Sequence, residues 1–299
     1  MIRLRIRLRA VLYGRLVVET GFVRPDEELL REVVSRALDA AGGSLDPSRW
    51  TWVDHGSANV VVLVDDVAVR VNRSGKSALE LLRTQRLVDR IPELPFALPR
   101  SLVEPVRVGD LIAIAQQRLH GASHPSGHGD PRRLRLLLEA VHSVPLEAVR
   151  DDLAPARSFM GGDRWFEVMT NEAIPMLAPK ARAGAQAAAD RLASLPLIAD
   201  TFVHGDLAGA NVLWEDGNVS AVLDWDLASA DDPAEDVAAL GTWHGWDSVA
   251  RATSTGIVER AKAFAATYPV QLICFAIINA RPGDELDRAI QHANAKLLT

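Results

Sequence analysis

The chain has 299 residues, 48% of them hydrophobic, and a formal charge of −6. That is enough apolar material for one large domain or two lobes. An acidic balance argues against general nucleic-acid binding, which needs a basic face, and no uninterrupted apolar run reaches the ~18 residues of a membrane span. The single cysteine, Cys274, excludes an intramolecular disulfide framework and suits a reducing cytosol. It lies in an apolar run and reads as a buried thiol, not a nucleophile.

Residues 1–22 depart from the acidic average. Arg3, Arg5, Arg7 and Arg9 alternate with Ile2, Leu4, Ile6 and Leu8, a period of two that predicts a strand. The segment reads as an edge strand or an extension outside the catalytic fold, with a basic arm for nucleic acid as the sharper alternative. After Pro25, Asp26 and Glu27 favour a first helical turn. Leu29, Leu30, Val33, Val34 and Leu38 make one apolar stripe, and Gly42-Gly43 stops it.

From Trp50 the pattern becomes strands. A small-residue corner at 55–59, with Gly56, Ser57 and Asn59, leads into 60–64; Asp65-Asp66 turns the chain, and 67–71 returns. Such a corner can lay backbone N–H groups over a nucleotide's phosphates. Arg70, in the returning strand, is either a phosphate-holding cation or a surface arginine. Gly75-Lys76-Ser77 is not a P-loop, because the glycine that motif needs five residues earlier is Arg70. It caps a helix over 77–89. Pro92, Pro95 and Pro99 impose extended chain. Residues 111–115 read as a buried strand, and 116–121, polar and ending in Gly121, as a connection between lobes. His124 and His128 fall in a loop that reads as surface, not as a metal site. Helices are predicted over 132–142, 165–177 and 182–195.

The chemistry follows. An apolar run, Thr201 to Val203, delivers Asp206 at a glycine turn, and Asn211 comes five residues later. A hairpin of 212–214 and 219–223, turned at Gly217-Asn218, returns Asp224 beside the loop that holds Asp206 and Asn211. A carboxylate able to take a hydroxyl proton, an amide oxygen and a second carboxylate are the parts that phosphoryl transfer needs around magnesium.

These residues, His204-Gly205-Asp206-Leu207-x-x-x-Asn211-x-Leu213, then Leu223-Asp224-Trp225-Asp226, then Asp232-Pro233-x-x-Asp236, resemble the aminoglycoside phosphotransferase family. Those antibiotic kinases include the macrolide kinases and share the protein-kinase-like fold. The likeness is specific over 202–240 and looser over 50–145. It implies an α+β, two-lobe architecture: a small antiparallel-sheet lobe over 23–115, a hinge over 116–121, and a larger, mainly helical lobe over 122–299. It implies Asp206 as catalytic base and Asn211 with Asp224 as ligands of Mg2+. Arg70 falls where the family holds the donor's phosphates, and Gly56, Ser57 and Asn59 fall in its nucleotide-covering loop. Gln117 and Leu119 belong to the hinge, against the nucleotide, and Asp236 would be structural. Gln85 stands where the family usually carries a glutamate that pairs with the strand's cation.

The resemblance implies transfer of the γ-phosphoryl of ATP or GTP to a hydroxyl of a small molecule, an aminoglycoside or macrolide antibiotic among the candidates. A metabolic kinase for choline, a sugar or an amino alcohol stays open, as does a non-catalytic nucleotide-binding pseudokinase. For the acceptor, Trp243 and Trp246 are either an apolar wall or core. Asp247, Glu259, Asp284, Glu285 and Asp287 are either amine-recognising or a solvated face. The chain is read as a cytoplasmic monomer.

Overall fold

The computed structural model describes residues 24–53, 59–207 and 209–298. The arginine-alternating stretch and the corner residues Gly56 and Ser57 lie outside them. Asp26 accepts from the backbone N–H of Glu28 and of Leu29, both at 3.0 Å, and so caps α1, Glu27–Ala40. Leu30, Val33, Val34 and Leu38 are fully buried from that helix against an antiparallel sheet. Each such side chain contributes about 1.5–3 kcal/mol.

The sheet has five strands: β1 Thr51–Val53, β2 Asn59–Val64, β3 Val67–Asn72, β4 Val106–Val108 and β5 Leu111–Gln117, in the order β1-β2-β3-β5-β4. β4 has no signal of its own in the sequence, being three residues paired only to β5. The β2–β3 hairpin turns at Asp65-Asp66, with Asp65 left-handed at φ 49°. Alternation along the strands sends Val60, Val62, Val69, Val71, Ala113 and Ala115 to the α1 side. The other face carries Arg70, Ile112 and Ile114. It is covered by α2, Gly75–Arg90, through Ala78 and Leu81. Ser74 and Ser77 cap α2 reciprocally, so Gly75-Lys76-Ser77 is a helix start as expected.

β5 runs through Gln117, two residues beyond the expected strand, so the irregular connection between lobes is only 118–121. The chain then changes sheets. β6, Ala122–Ser123, pairs with β8, Val212–Glu215, which pairs in turn with β9, Asn218–Val222. The β8–β9 turn sits at Asp216-Gly217, one residue earlier than predicted, because both take positive φ. β7, Thr201–Val203, pairs with β10, Ser229–Asp231.

Helices make up the rest: α3 Pro131–His142, α4 Leu146–Val149, α5 Trp165–Glu167, α6 Pro179–Ala193, α7 Ala234–His244, α8 Trp246–Ala252, α9 Thr255–Ile278 and α10 Gly283–Leu297. The helix predicted over 165–177 forms as a continuous helical stretch, but not as a regular α-helix. α5 gives way to a π turn, Val168–Ala173, and a 3-10 turn, Ile174–Met176. Pro175 cannot donate to an α-helical ladder and clashes with the turn before it. α9 has a window of mean hydropathy 1.5 and is long and apolar enough to cross a membrane by length and composition, although charges interrupt its sequence. It is the central helix of this lobe, packed by α6, α7 and α10. Cys274 is buried on it, and burial pushes its thiol up to about 12.

α2 ties the lobes together. Arg86 Nε and Arg90 Nη1 donate to the two carboxylate oxygens of buried Asp152 at 2.9 and 2.7 Å, and Arg83 Nη1 donates to its carbonyl at 2.8 Å. Asp152→Ala removes the carboxylate from both arginines. It lowers stability by about 2 kcal/mol, the scale of a charge-assisted hydrogen bond, read as a fall in the denaturant midpoint.

Candidate active site

The loop between β7 and β8 is fixed from below by one carboxylate. Asp236, in the first turn of α7, is wholly buried. Its Oδ2 accepts from His204 N–H and its Oδ1 from Gly205 N–H, both at 3.0 Å. His142 Nε2 donates to Oδ2 at 3.1 Å. Burial pushes this carboxyl up, but His142 and the other donors outweigh it and hold it below the usual range. Gly205 sits at φ 80°, and a Cβ there would lie 2.6 Å from the carbonyl oxygen of Leu227, so the turn needs glycine.

His204 Nε2 donates to the carbonyl of Leu223 at 2.9 Å, so Nδ1 is the unprotonated nitrogen that accepts Asp206 N–H at 3.2 Å. Asn211 Nδ2 donates to Asp206 twice, to its carbonyl and to Oδ2, each at 2.9 Å. Leu223 N–H donates to the carbonyl of Asn211 at 2.8 Å. Leu223 therefore joins the two loops, and Asp224 follows beside Asn211 in a left-handed conformation at φ 59°. Because the amide nitrogen of Asn211 is committed to Asp206, its carbonyl oxygen is the pole left for a cation. An amide oxygen with the Asp224 carboxylate is the hard-oxygen set that Mg2+ takes beside phosphates, so the residues fit that ion.

Burial raises Asp206 above the ordinary carboxylate range, against the pull of His204 and Asn211. Asp224 is exposed to solvent, while neighbouring protein atoms crowd its carboxyl. That desolvation and the adjacent Asp226 push it up to about 7, with Arg70 opposing. The open cleft tempers the rise.

Arg70 lies across the cleft, 13% exposed. Its Nη2 donates to both carboxylate oxygens of Asp226, at 3.1 and 3.2 Å. Arg83 Nη2 donates to the Asp226 carbonyl at 2.6 Å. Burial works against the Asp226 charge, but Arg70 and Thr84 overcome it and hold the carboxyl below its usual value. Gln85 takes no part. Its Nε2 donates to Asp89 Oδ1 at 2.9 Å and its Oε1 accepts from Gln116, so it joins α2 to β5. The cation on β3 thus has its partner on the other lobe, not on α2.

The other candidate residues are spread unevenly. Asn59 opens β2, buried, and shares the sheet face of Arg70, whose register partner is Val61. Gln117 falls on the α1 face with Ala113 and Ala115, so only its main chain is at the cleft side; Leu119 is half-buried in the connection. Glu259, Asp284 and Glu285 are committed to Lys262, Arg288 and Arg281. The role of Asp226 was missed in the sequence. Its signal is an aromatic between two acids: Trp225 is buried against His204 and Phe202, with ring centroids 4.5 and 5.9 Å away, and Asp224 and Asp226 flank it.

Fold and site together define a protein-kinase-like phosphotransferase scaffold, with a buried carboxylate loop, a paired cation and a hard-oxygen pair at the junction of two lobes. The model of the phosphotransferase enzyme family matches residues 49–269, and the chain belongs to that family. Viomycin phosphotransferase from Streptomyces vinaceus is 36% identical over 140 residues, a match that spans 42% of this chain and 48% of that relative. Among solved structures, the GDP complex of wild-type aminoglycoside 2'-phosphotransferase-IIIa is similar with a TM-score of 0.75 at 13% identity, over 92% of this chain and 99% of that one. Macrolide 2'-phosphotransferase MphH from Brachybacterium faecium, as the apoenzyme, is similar at 0.66 and 19% identity, over 88% and 98%. At these identities the structural likeness bears on the fold.

Two outcomes follow from the charges. Asp226→Asn removes the carboxylate charge that Arg70 donates to and lowers kcat/KM by about tenfold or more, the worth of a charged hydrogen bond. Gln85→Leu leaves kcat/KM within about twofold, because Gln85 does not touch the cation, but unsatisfies buried Gln116 and costs stability. Steady-state kinetics and denaturation separate the pair. A divalent ion held at Asp224 would bind more weakly as pH falls, because the raised carboxyl then holds a proton the ion must displace. Calorimetry at pH 6 and pH 8 measures it.

Proposed function

We propose that this chain transfers the γ-phosphoryl group of ATP or GTP to a hydroxyl of a small-molecule antibiotic. The observation that carries the reading is the loop itself: Asp206, Asn211 and Asp224 are tied together by the hydrogen bonds of Asn211 and Leu223. Family membership and the viomycin-kinase relative support a phosphotransferase of this kind.

Asp206 is the base. Its Oδ2 is held by Asn211 Nδ2, which leaves Oδ1 for the acceptor's hydroxyl, and its raised affinity for protons suits it to take that hydroxyl's proton as the oxygen attacks. Arg70 supplies a fixed positive charge for the donor's phosphates while Asp226 holds its guanidinium in place. Magnesium, when held by Asn211 and Asp224, would neutralise phosphate charge. The formal charge of −6 favours a cationic acceptor, such as a basic peptide antibiotic or an aminosugar, over an anionic one. The non-catalytic reading rested on Gln85 leaving the cation unpaired; Asp226 removes that motive.

Asp206→Asn keeps the loop's shape but removes the base. Turnover falls by about 100-fold or more while nucleotide still binds. The assay is a screen of viomycin, aminoglycosides and macrolides with ATP and with GTP. Wild-type rates in this variant contradict the assignment.

A further inference from the structure

Asp236 holds one end of the catalytic loop, and a second support holds its middle. Gly209 lies between Asp206 and Asn211 and is buried. The reason for glycine is a neighbour. A Cβ at this position would lie 1.9 Å from Trp243 Cε2 and 2.1 Å from Cδ2, inside the indole ring. The ring of Trp243 therefore rests on the bare backbone of the loop.

Trp243 is itself clasped at both ends. Its Nε1 donates to the carbonyl of His124 at 2.9 Å, and its own carbonyl accepts Gly127 N–H at 2.8 Å. Both partners belong to the strap 124–129, which continues from β6 directly after the connection between lobes. The two ends of the strap are packed. A Cβ on Gly129 would meet His244 Cβ at 2.6 Å, and the His124 ring packs 4.9 Å from Trp214 and 5.2 Å from His244.

We infer that Trp243 is a positioning residue for phosphoryl transfer: its indole, locked by the strap, sets the height of the loop that carries Asp206 and Asn211. The inference rests on the phosphotransferase reading above. It differs from a wall for the acceptor, which would govern acceptor KM, and from plain packing, which would govern only the folded fraction. A displacement of the loop by ~1 Å costs on the order of 100-fold in rate.

The test is a double-mutant cycle with the full chain, using the acceptor that wild type phosphorylates. Trp243→Ala lowers kcat by about 100-fold with both KM values within about threefold. Trp243→Phe keeps a ring over Gly209 and loses only the bond to His124, so it recovers about tenfold of that loss. Gly209→Ala lowers kcat by about 100-fold in the native background, yet by less than about threefold in Trp243→Ala, where the space is open. Thermal unfolding of every variant corrects for folded fraction. The inference is overturned if Gly209→Ala costs the same in both backgrounds, if Trp243→Ala raises acceptor KM at unchanged kcat, or if lost stability accounts for the fall. Wild type that transfers to no acceptor refutes the functional reading instead. The coupling is then read in Tm, where independence of the two substitutions overturns the contact.

Discussion

The site depends on a carboxylate that never meets a substrate. Asp236 is buried with no exposure, a position that costs several kcal/mol for an ionised group unless donors surround it. Three do: two backbone N–H groups of the catalytic loop and the His142 ring. The same bonds that make the buried charge tolerable hold His204 and Gly205 in place. His204 then fixes Asp206 through Nδ1 and Leu223 through Nε2. The loop's geometry and the stability of α7 are therefore one requirement, and neither is met without the other.

Two acids two residues apart behave oppositely, and their environments assign the roles. Asp226 faces Arg70 and stays charged; Asp224 faces desolvation and a like charge, and rises toward neutrality in pH. Environments that push two carboxyls apart mark different tasks. A permanently ionised Asp226 is suited to hold a guanidinium. Asp224, whose proton affinity is raised by desolvation and by Asp226, is the carboxyl proposed to hold a divalent ion.

Most of the loop's arrangement was legible because its parts are local: Asp206, Asn211 and Asp224 fall within nineteen residues, linked by one hairpin. The lobes were legible from strand alternation and the α1 stripe. What was not legible depends on pairs far apart in the chain. Gln85 looked like a missing partner because the true one, Asp226, is 156 positions from Arg70. Gln117 looked like part of the connection because polarity does not distinguish a strand's last residue from a hinge. The 165–177 helix formed but left α geometry in the turns ahead of Pro175, a local signal that the apolar pattern overrode. Gly209 resembled any loop glycine, since nothing in its neighbourhood announces an indole from α7.

These contacts divide the site by lobe. Asp206 and Asn211 are held by Asp236, Leu223 and Trp243, all from the helical lobe. The Asp206 loop is thus held from within that lobe alone. Arg70 comes from the sheet lobe, yet its partner Asp226 and the Asp152 that anchors α2 come from the helical one. Any opening of the lobes must stretch those bonds first. Arg70 is therefore the element whose placement reports on lobe closure, and Asp206 is not. In the proposed role, phosphates reaching Arg70 from the cleft would meet guanidinium N–H groups other than the Nη2 that donates to Asp226. Arginine, with five donors in a fixed plane, can serve both where lysine could not.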